Sequence, residues 1–166
     1  MNEALLYTRI ESPIGELLLV GDGHALHGLH MQEGRTAVAV DPEWRPADEP
    51  FAEVRRQLSE YFDGERTTFN VPLAMAGTPF QRRVWSALQE IPYGETTTYG
   101  QLAERLGRPA ASRAVGLANG RNPIAVIVPC HRVIGSDGNL TGYGSGLERK
   151  RLLLDLEAAR VGPASK

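Results

Sequence analysis

"TYGQLAERLGRPAASRAVGLANG", residues 98–120, carries two short helical segments separated by a single tight turn. Thr98 stands where an N-cap belongs, and Gln101, three residues on, completes a capping box. Leu102 and Leu106 share one face of the first segment, and Gly107 occupies the C-terminal position that favours glycine. The second segment, "PAASRAVGLANG", follows after Arg108 alone. Two short helices joined by a glycine-containing turn form the pattern of a helix-turn-helix, although any helical hairpin produces the same pattern.

Upstream, "TPFQRRVWSALQ" repeats the device. Thr78 is the cap, Pro79 takes the first helical position, Gln81 closes the box, and Phe80, Val84, Trp85 and Leu88 make the apolar stripe. Before residue 77 the pattern is different. "LLYTRI", "SPIG" and "ELLLV" read as strand, turn and strand, with "HALHGLHM" as a third strand. "GRTAVAVDPEWRPADEP" is then a polar, proline-rich connection. Pro50 opens a helix in which Phe51, Val54, Leu58 and Tyr61 or Phe62 recur at helical spacing until Gly64 stops it. "TTFNVPLAMAG" reads as a short strand leading into the linker. The expected organisation is an α/β domain over 1–76 and a mainly helical domain over 77–166, an α+β chain overall.

The bulk numbers narrow the functional classes. With 166 residues, 42% hydrophobic and 23% charged, the chain can bury a core without staples, and no apolar stretch is long enough to span a bilayer. No membrane partner is expected. The first twenty residues lack a basic flank, an apolar core and a small-residue cleavage site, and the single cysteine cannot form an internal disulfide. A cytoplasmic location is therefore expected. The net charge of −2 is unevenly spread: residues 1–76 hold 6 Arg against 13 Asp and Glu, whereas residues 77–166 hold 12 Lys and Arg against 7 acids. The basic half is the one suited to a polyanion such as nucleic acid.

The chemistry centres on "IVPCHRVIG", residues 127–135, which contains the lone cysteine. Cys130 is open to two readings: a small buried hydrophobe, or a nucleophile whose thiolate is raised by an adjacent base or cation. In extended backbone Cys130 and His131 would point apart, so they cooperate only if the chain turns here, as Pro129 allows. In the last helix, "LERKRLLLDLEAAR", Glu157 lies four residues after Leu153 and three after Leu154 and shares their apolar face. It is either an acid at the rim of that face or the group that orients His131, which gives the order Glu157, His131, Cys130. Arg113 is a long cation in a small-residue helix, read either as a solvated side chain or as a contact to phosphate or duplex. "TGYGSG" is not a dinucleotide fingerprint and has no P-loop lysine, so no nucleotide cofactor is expected. His24, His27 and His30, three apart on a strand, cannot converge on one face, and no metal is expected.

Together, "PCHRVIG" with "LTGY" downstream, "IPYGETTTYGQLA" upstream, "SRAVGLANGRNP" between them and the closing "RKRLLLDLE" resemble the O6-alkylguanine-DNA alkyltransferases. The resemblance is dense over 78–158 and looser in "SPIGELLLV" and "QLSEYFDGE". It implies a ribonuclease-H-like N-terminal domain followed by a winged helix-turn-helix that enters the minor groove, and a damaged base flipped into a pocket. It also implies direct-reversal repair by a single-use methylated-DNA–protein-cysteine methyltransferase, which takes the alkyl group of O6-alkylguanine in duplex DNA, and also that of O4-alkylthymine. Carried over, Cys130 is the acceptor, His131 its base through a water, and Glu157 the support of the imidazolium. Asn122 braces the turn beside the cysteine, and Tyr99 donates a proton to the departing guanine. Carbonyls at Cys130 and Val133 read the exocyclic amine, Tyr143 and Gly144 form the pocket wall, and Ser145 stands where the family usually has glycine. Arg113 fills the gap left by the flipped base, with Ala114, Gly116 and Arg121 beside it on the DNA-binding helix. A monomer in solution that can cluster on DNA is expected, with no cofactor. Two other readings are a Cys-His hydrolase and a non-catalytic helix-turn-helix DNA binder.

Overall fold

A computed structural model describes residues 5–32, 37–135 and 146–161. Strand β1, Leu6–Ile10, pairs antiparallel with β2, Leu17–Gly21, through the turn at Ser12 to Gly15, where Gly15 takes φ 99°. β2 pairs antiparallel in turn with β3, Leu26–Met31, and the register shifts by a bulge between Val20 and Gly21. Every residue of β2 is buried. An unbroken Leu-Leu-Leu-Val run suits a central strand covered on both faces.

Two sequence expectations need correction here. The proline-rich connection holds a two-residue strand, β4, Arg45–Pro46, which pairs parallel with β1 and completes the sheet order β3-β2-β1-β4. Pro46 is acceptable there because β4 is an edge strand that needs no ladder donor. The strand expected in "TTFNVPLAMAG" does not form as such. That segment runs extended beside β3 and makes one bridge, Leu26 to Leu73, because Pro72 cannot donate and only its carbonyl engages, accepting from Leu26 at 2.8 Å.

Helix α1, Ala52–Phe62, enters through a 3-10 turn at Glu49–Phe51 and buries Val54, Gln57, Leu58 and Tyr61 along one face. Its last turn brings Tyr61, fully buried, to the boundary with the second domain. The second domain opens with α2, Pro79–Leu88, and α3, Tyr99–Arg105. Each carries the expected reciprocal capping box, Thr78 with Gln81 and Thr98 with Gln101. Gly107 ends α3 at φ 76°, a left-handed position that side chains disfavour. The following helix, α4, spans Ser112–Gly120 and so starts three residues later than the pattern from Pro109 implies. Trp85 of α2 donates its indole N–H to the carbonyl of Ala118 at 2.8 Å, fixing α4 against the core. Between α2 and α3, β5, Thr97–Thr98, pairs parallel with β6, Val133–Ile134, and α5, Leu147–Val161, closes the domain.

The free edge of β3 also receives the second domain. Leu29 donates to the Pro123 carbonyl at 2.9 Å and accepts from Ala125 at 3.1 Å. The sheet thus fixes the start of the segment that leads to Cys130.

Candidate active site

From residue 122 to 132 the chain is shaped almost residue by residue. Asn122 accepts from the backbone N–H of Ile124 at 2.9 Å and donates its amide to the Val128 carbonyl at 2.7 Å, spanning the loop from one end to the other. Within that span, Val126 takes φ 70° and the Ile127 N–H reaches the Ala125 carbonyl at 2.8 Å, a γ-turn of the rarer, strained hand. Burial of Val126 and the Asn122 brace hold it there. Pro129 makes a second γ-turn of the common hand, with φ −82° and ψ 67° and the Cys130 N–H on the Val128 carbonyl at 2.8 Å. Its ring already restricts φ to about −65°, so this geometry comes at little cost. A 3-10 turn at Cys130–Arg132 follows, and it provides the bend that the pairing of Cys130 with His131 requires.

All three side chains of the expected relay are buried: Cys130 is 6% exposed, His131 0% and Glu157 1%. The rim reading of Glu157 is excluded. Its Oε2 accepts from His131 Nε2 at 2.7 Å, from the Tyr61 hydroxyl at 2.6 Å and from Arg132 Nη2 at 2.9 Å. Its Oε1 accepts from Arg132 Nε at 2.9 Å and from the Gly94 N–H at 3.3 Å. Burial pushes the carboxyl's pKa up, but the hydrogen bonds from His131 and Arg132 outweigh it and hold the group at about 2. Because Glu157 is ionised, the proton between it and His131 belongs to Nε2. Nδ1 is then the basic nitrogen, and it is buried with no hydrogen-bond partner among the described residues. Burial also keeps the imidazole below its ordinary pKa, against the pull of Glu157. At neutral pH His131 is an uncharged base whose accepting nitrogen is buried and unengaged among the described residues.

Three members of this cluster were not singled out in the sequence. Arg132 clamps Glu157 through two nitrogens and donates its third to the Ile91 carbonyl at 2.6 Å. A long cation inside the apolar run 127–135 was the available signal. Lys150 is fully buried; burial lowers its pKa to about 8, and attraction to Cys130 opposes that fall. Lys150, Leu153, Leu154 and Glu157 lie at i, i+3, i+4 and i+7, so helical spacing alone places this lysine on the inward face. The same attraction favours the thiolate of Cys130. Tyr61 was legible only as a core residue of α1.

The remaining expected residues fall on two surfaces. Tyr99, half-buried, starts α3 and lies against α4, where a Cβ added at Gly116 would meet its ring at 3.7 Å. Val133 is buried and follows the turn directly, while the Cys130 carbonyl already accepts from the Val133 N–H and from the Asn119 amide at 3.4 Å. Arg113 and Ala114 are exposed in the first turn of α4 and Arg121 at its end. With Leu117, 65% exposed, Arg113 and Arg121 form an outward stripe at i, i+4 and i+8. Tyr143, Gly144 and Ser145 lie outside the described residues. Of the three histidines expected on a strand, His24 lies in the bend before β3, His27 is hydrogen-bonded to Asp22 at 2.9 Å and His30 lies against Gly28.

A buried cysteine followed by a His-Glu pair, beside two short helices of which the second exposes Arg113 and Arg121, defines a class: a protein with a cysteine site next to a helix-turn-helix. The comparisons give the class its family. Residues 79–159 match the DNA binding domain of 6-O-methylguanine DNA methyltransferase, and residues 5–75 match the ribonuclease-like domain of the same family. The chain belongs to the 6-O-methylguanine DNA methyltransferase family, as the resemblance implied. It is 55% identical over 155 residues to the methylated-DNA–protein-cysteine methyltransferase of Methanosarcina acetivorans, covering 93% of this chain and 99% of that one. Among solved structures it is similar to the O6-methylguanine methyltransferase of Mycobacterium tuberculosis, with 53% identity, TM-score 0.87 and 96% of both chains covered. It is likewise similar to the Mycobacterium tuberculosis protein in complex with DNA, with 54% identity, TM-score 0.88 and 96% of both chains covered.

Proposed function

We propose that the protein repairs duplex DNA by direct reversal, moving the alkyl group of O6-alkylguanine onto Cys130 once and irreversibly. The observation that carries this reading is the relay itself: a lone cysteine in a constructed turn, followed by a neutral histidine whose other nitrogen is locked to a buried carboxylate. Cys130 passes its proton to His131 Nδ1 through an intervening water, and the imidazolium so formed is supported by Glu157. The thiolate sulfur attacks the alkyl carbon, the carbon–oxygen bond breaks, and the electrons return to the guanine, which takes a proton from Tyr99. The thioether has no good leaving group, so the protein is consumed by the reaction.

Recognition is assigned to the basic second domain, with the division of domains at 76 and 77. Arg113, Ala114 and Gly116 on α4 and Arg121 just after it face the minor groove, and Arg113 occupies the space left when the damaged base is flipped out. The exposure of Arg113, Ala114 and Arg121 supports this assignment, and flipping is cheapest at a damaged, poorly stacked pair. Asn122 keeps the acceptor turn in shape, and Val133 with Tyr143, Gly144 and Ser145 forms the base pocket. O4-alkylthymine is a second substrate in this reading. Action as a monomer that can cluster on DNA and a location in the cytoplasm also belong to it, the latter supported by a single reduced thiol. Among the described residues no helix is long and apolar enough to cross a membrane.

Weighing the intact protein after mixing it with a duplex containing O6-methylguanine tests the proposal. A gain of one methyl group that is absent in Cys130→Ala supports it. Repeated turnover points instead to hydrolase chemistry, and binding with no adduct points to a non-catalytic DNA binder.

A further inference from the structure

The carboxylate of Glu157 is shared between the two domains. Tyr61 lies in the last turn of α1, 96 residues away in the chain and 0% exposed, yet its hydroxyl donates to the same Oε2 that accepts from His131. Its ring is held by Phe62, Phe69 and Tyr93 at centroid distances of 5.3, 5.4 and 6.1 Å, so the hydroxyl has little freedom to turn elsewhere. Core packing alone does not require a tyrosine here. A phenylalanine would fill the same volume, and a buried hydroxyl is tolerated only with a partner.

We infer that Tyr61 is a positioning residue for the methyl-transfer site: its hydroxyl fixes Glu157 Oε2 and sets how much of the carboxylate's charge reaches His131. This inference rests on the reading of His131 as the base. The charged and titratable groups around the carboxylate come from every element packed on it. Arg132 spans both oxygens, the buried Lys150 of α5 acts electrostatically on His131 and is itself attracted by Cys130, and Tyr93 lies under the Arg132 guanidinium at 5.7 Å. Tyr61 is distinct among them because it donates to the oxygen that binds His131 without adding a charge. Each hydrogen bond to an anion withdraws charge from it. Without the phenol, Glu157 attracts the proton on the imidazole more strongly, and His131 becomes a stronger base that is protonated at higher pH.

The test is Tyr61→Phe, followed by NMR titration of His131 and by the pH profile of methyl transfer from an O6-methylguanine duplex. The expected result is an upward shift of about 0.5–1 pH unit in both, which is a three- to tenfold rate loss on the acid limb while the rate on the alkaline side is retained. A His131 titration that stays in place or moves down overturns the inference, as does a uniform rate loss across pH. If the variant does not fold, the wild type supplies a second reading. A sheltered Tyr61 hydroxyl proton with a cross-peak to the Glu157 side chain is expected, and its absence counts against the inference. Wild-type methyl transfer is scored separately: a shifted titration without any methyl uptake leaves the tuning intact and removes the repair function.

Discussion

Glu157→Gln is the perturbation whose magnitude can be worked most fully from the structure. Five donors converge on the carboxylate: the Tyr61 hydroxyl, His131 Nε2, two Arg132 nitrogens and the Gly94 N–H. An amide keeps one acceptor oxygen and turns an NH2 toward the other donors. The better orientation leaves the oxygen at the Oε2 position, so Arg132 Nε and the Gly94 N–H confront the NH2, and the guanidinium remains buried with no counter-charge. Removing one partner of a buried ion pair costs about 3–5 kcal/mol; the unsatisfied donor on buried Arg132 is part of that cost, whereas Gly94 is exposed and its N–H can turn to water. At roughly 2–4 °C per kcal/mol for a chain of this size, the midpoint of thermal unfolding should fall by about 6–20 °C. Differential scanning calorimetry on Glu157→Gln, Arg132→Met and the double variant measures this. The double variant should be less destabilised than the sum of the singles by about 2 kcal/mol. A single-variant loss under about 1 kcal/mol, or strict additivity, would refute the assignment of Glu157 as the buried hub.

Stability should also fall with acid in two windows. His131, held below its ordinary pKa by burial, contributes stability that is full above pH 6.5 and is lost below it as the unfolded chain takes up the proton first. Glu157, lowered from 4.5 to about 2, contributes about 3 kcal/mol that is present above pH 4.5 and lost as pH falls toward 2. Urea unfolding across pH should show both steps, with the lower one missing in Glu157→Gln. Arg113→Ala should slow repair of duplex DNA at least tenfold more than reaction with the free O6-alkylguanine base, and equal losses on both substrates would remove its role in flipping. Ser145→Gly should raise the rate with O6-benzylguanine relative to O6-methylguanine, since serine adds bulk and backbone restriction where a glycine is usual; comparable rates for both adducts before and after the change would end that expectation.

Much of this molecule is legible residue by residue because its devices are local. Both capping boxes, the glycine end of α3 and the inward face of α5 follow from spacings of three or four residues, and strand β2 from an unbroken apolar run. β4 is not legible, since two residues of a proline-rich loop become a strand only by contact with β1. Over "TTFNVPLAMAG", local β-propensity overstates a segment that tertiary contact reduces to one bridge. In the site, Cys130 and His131 are adjacent and Glu157 is marked by its apolar neighbours, so the relay can be read from one chain. Tyr61 cannot be read this way. A tyrosine in an amphipathic stripe looks like core whether or not its hydroxyl meets a carboxylate 96 residues on, and only the docking of α1 on the second domain shows that it does. Arg132 was hidden by the strength of its neighbours in the motif.

The central claim is that Cys130 is a single-use alkyl acceptor, and counting the methyl groups taken up from excess duplex tests it most directly. Titrating the protein with O6-methylguanine DNA and mapping the product peptide should give a plateau of one S-methylcysteine per chain, located at Cys130, with an equal amount of guanine restored. Continued conversion beyond one equivalent, or methylation at any residue other than Cys130, would contradict the account.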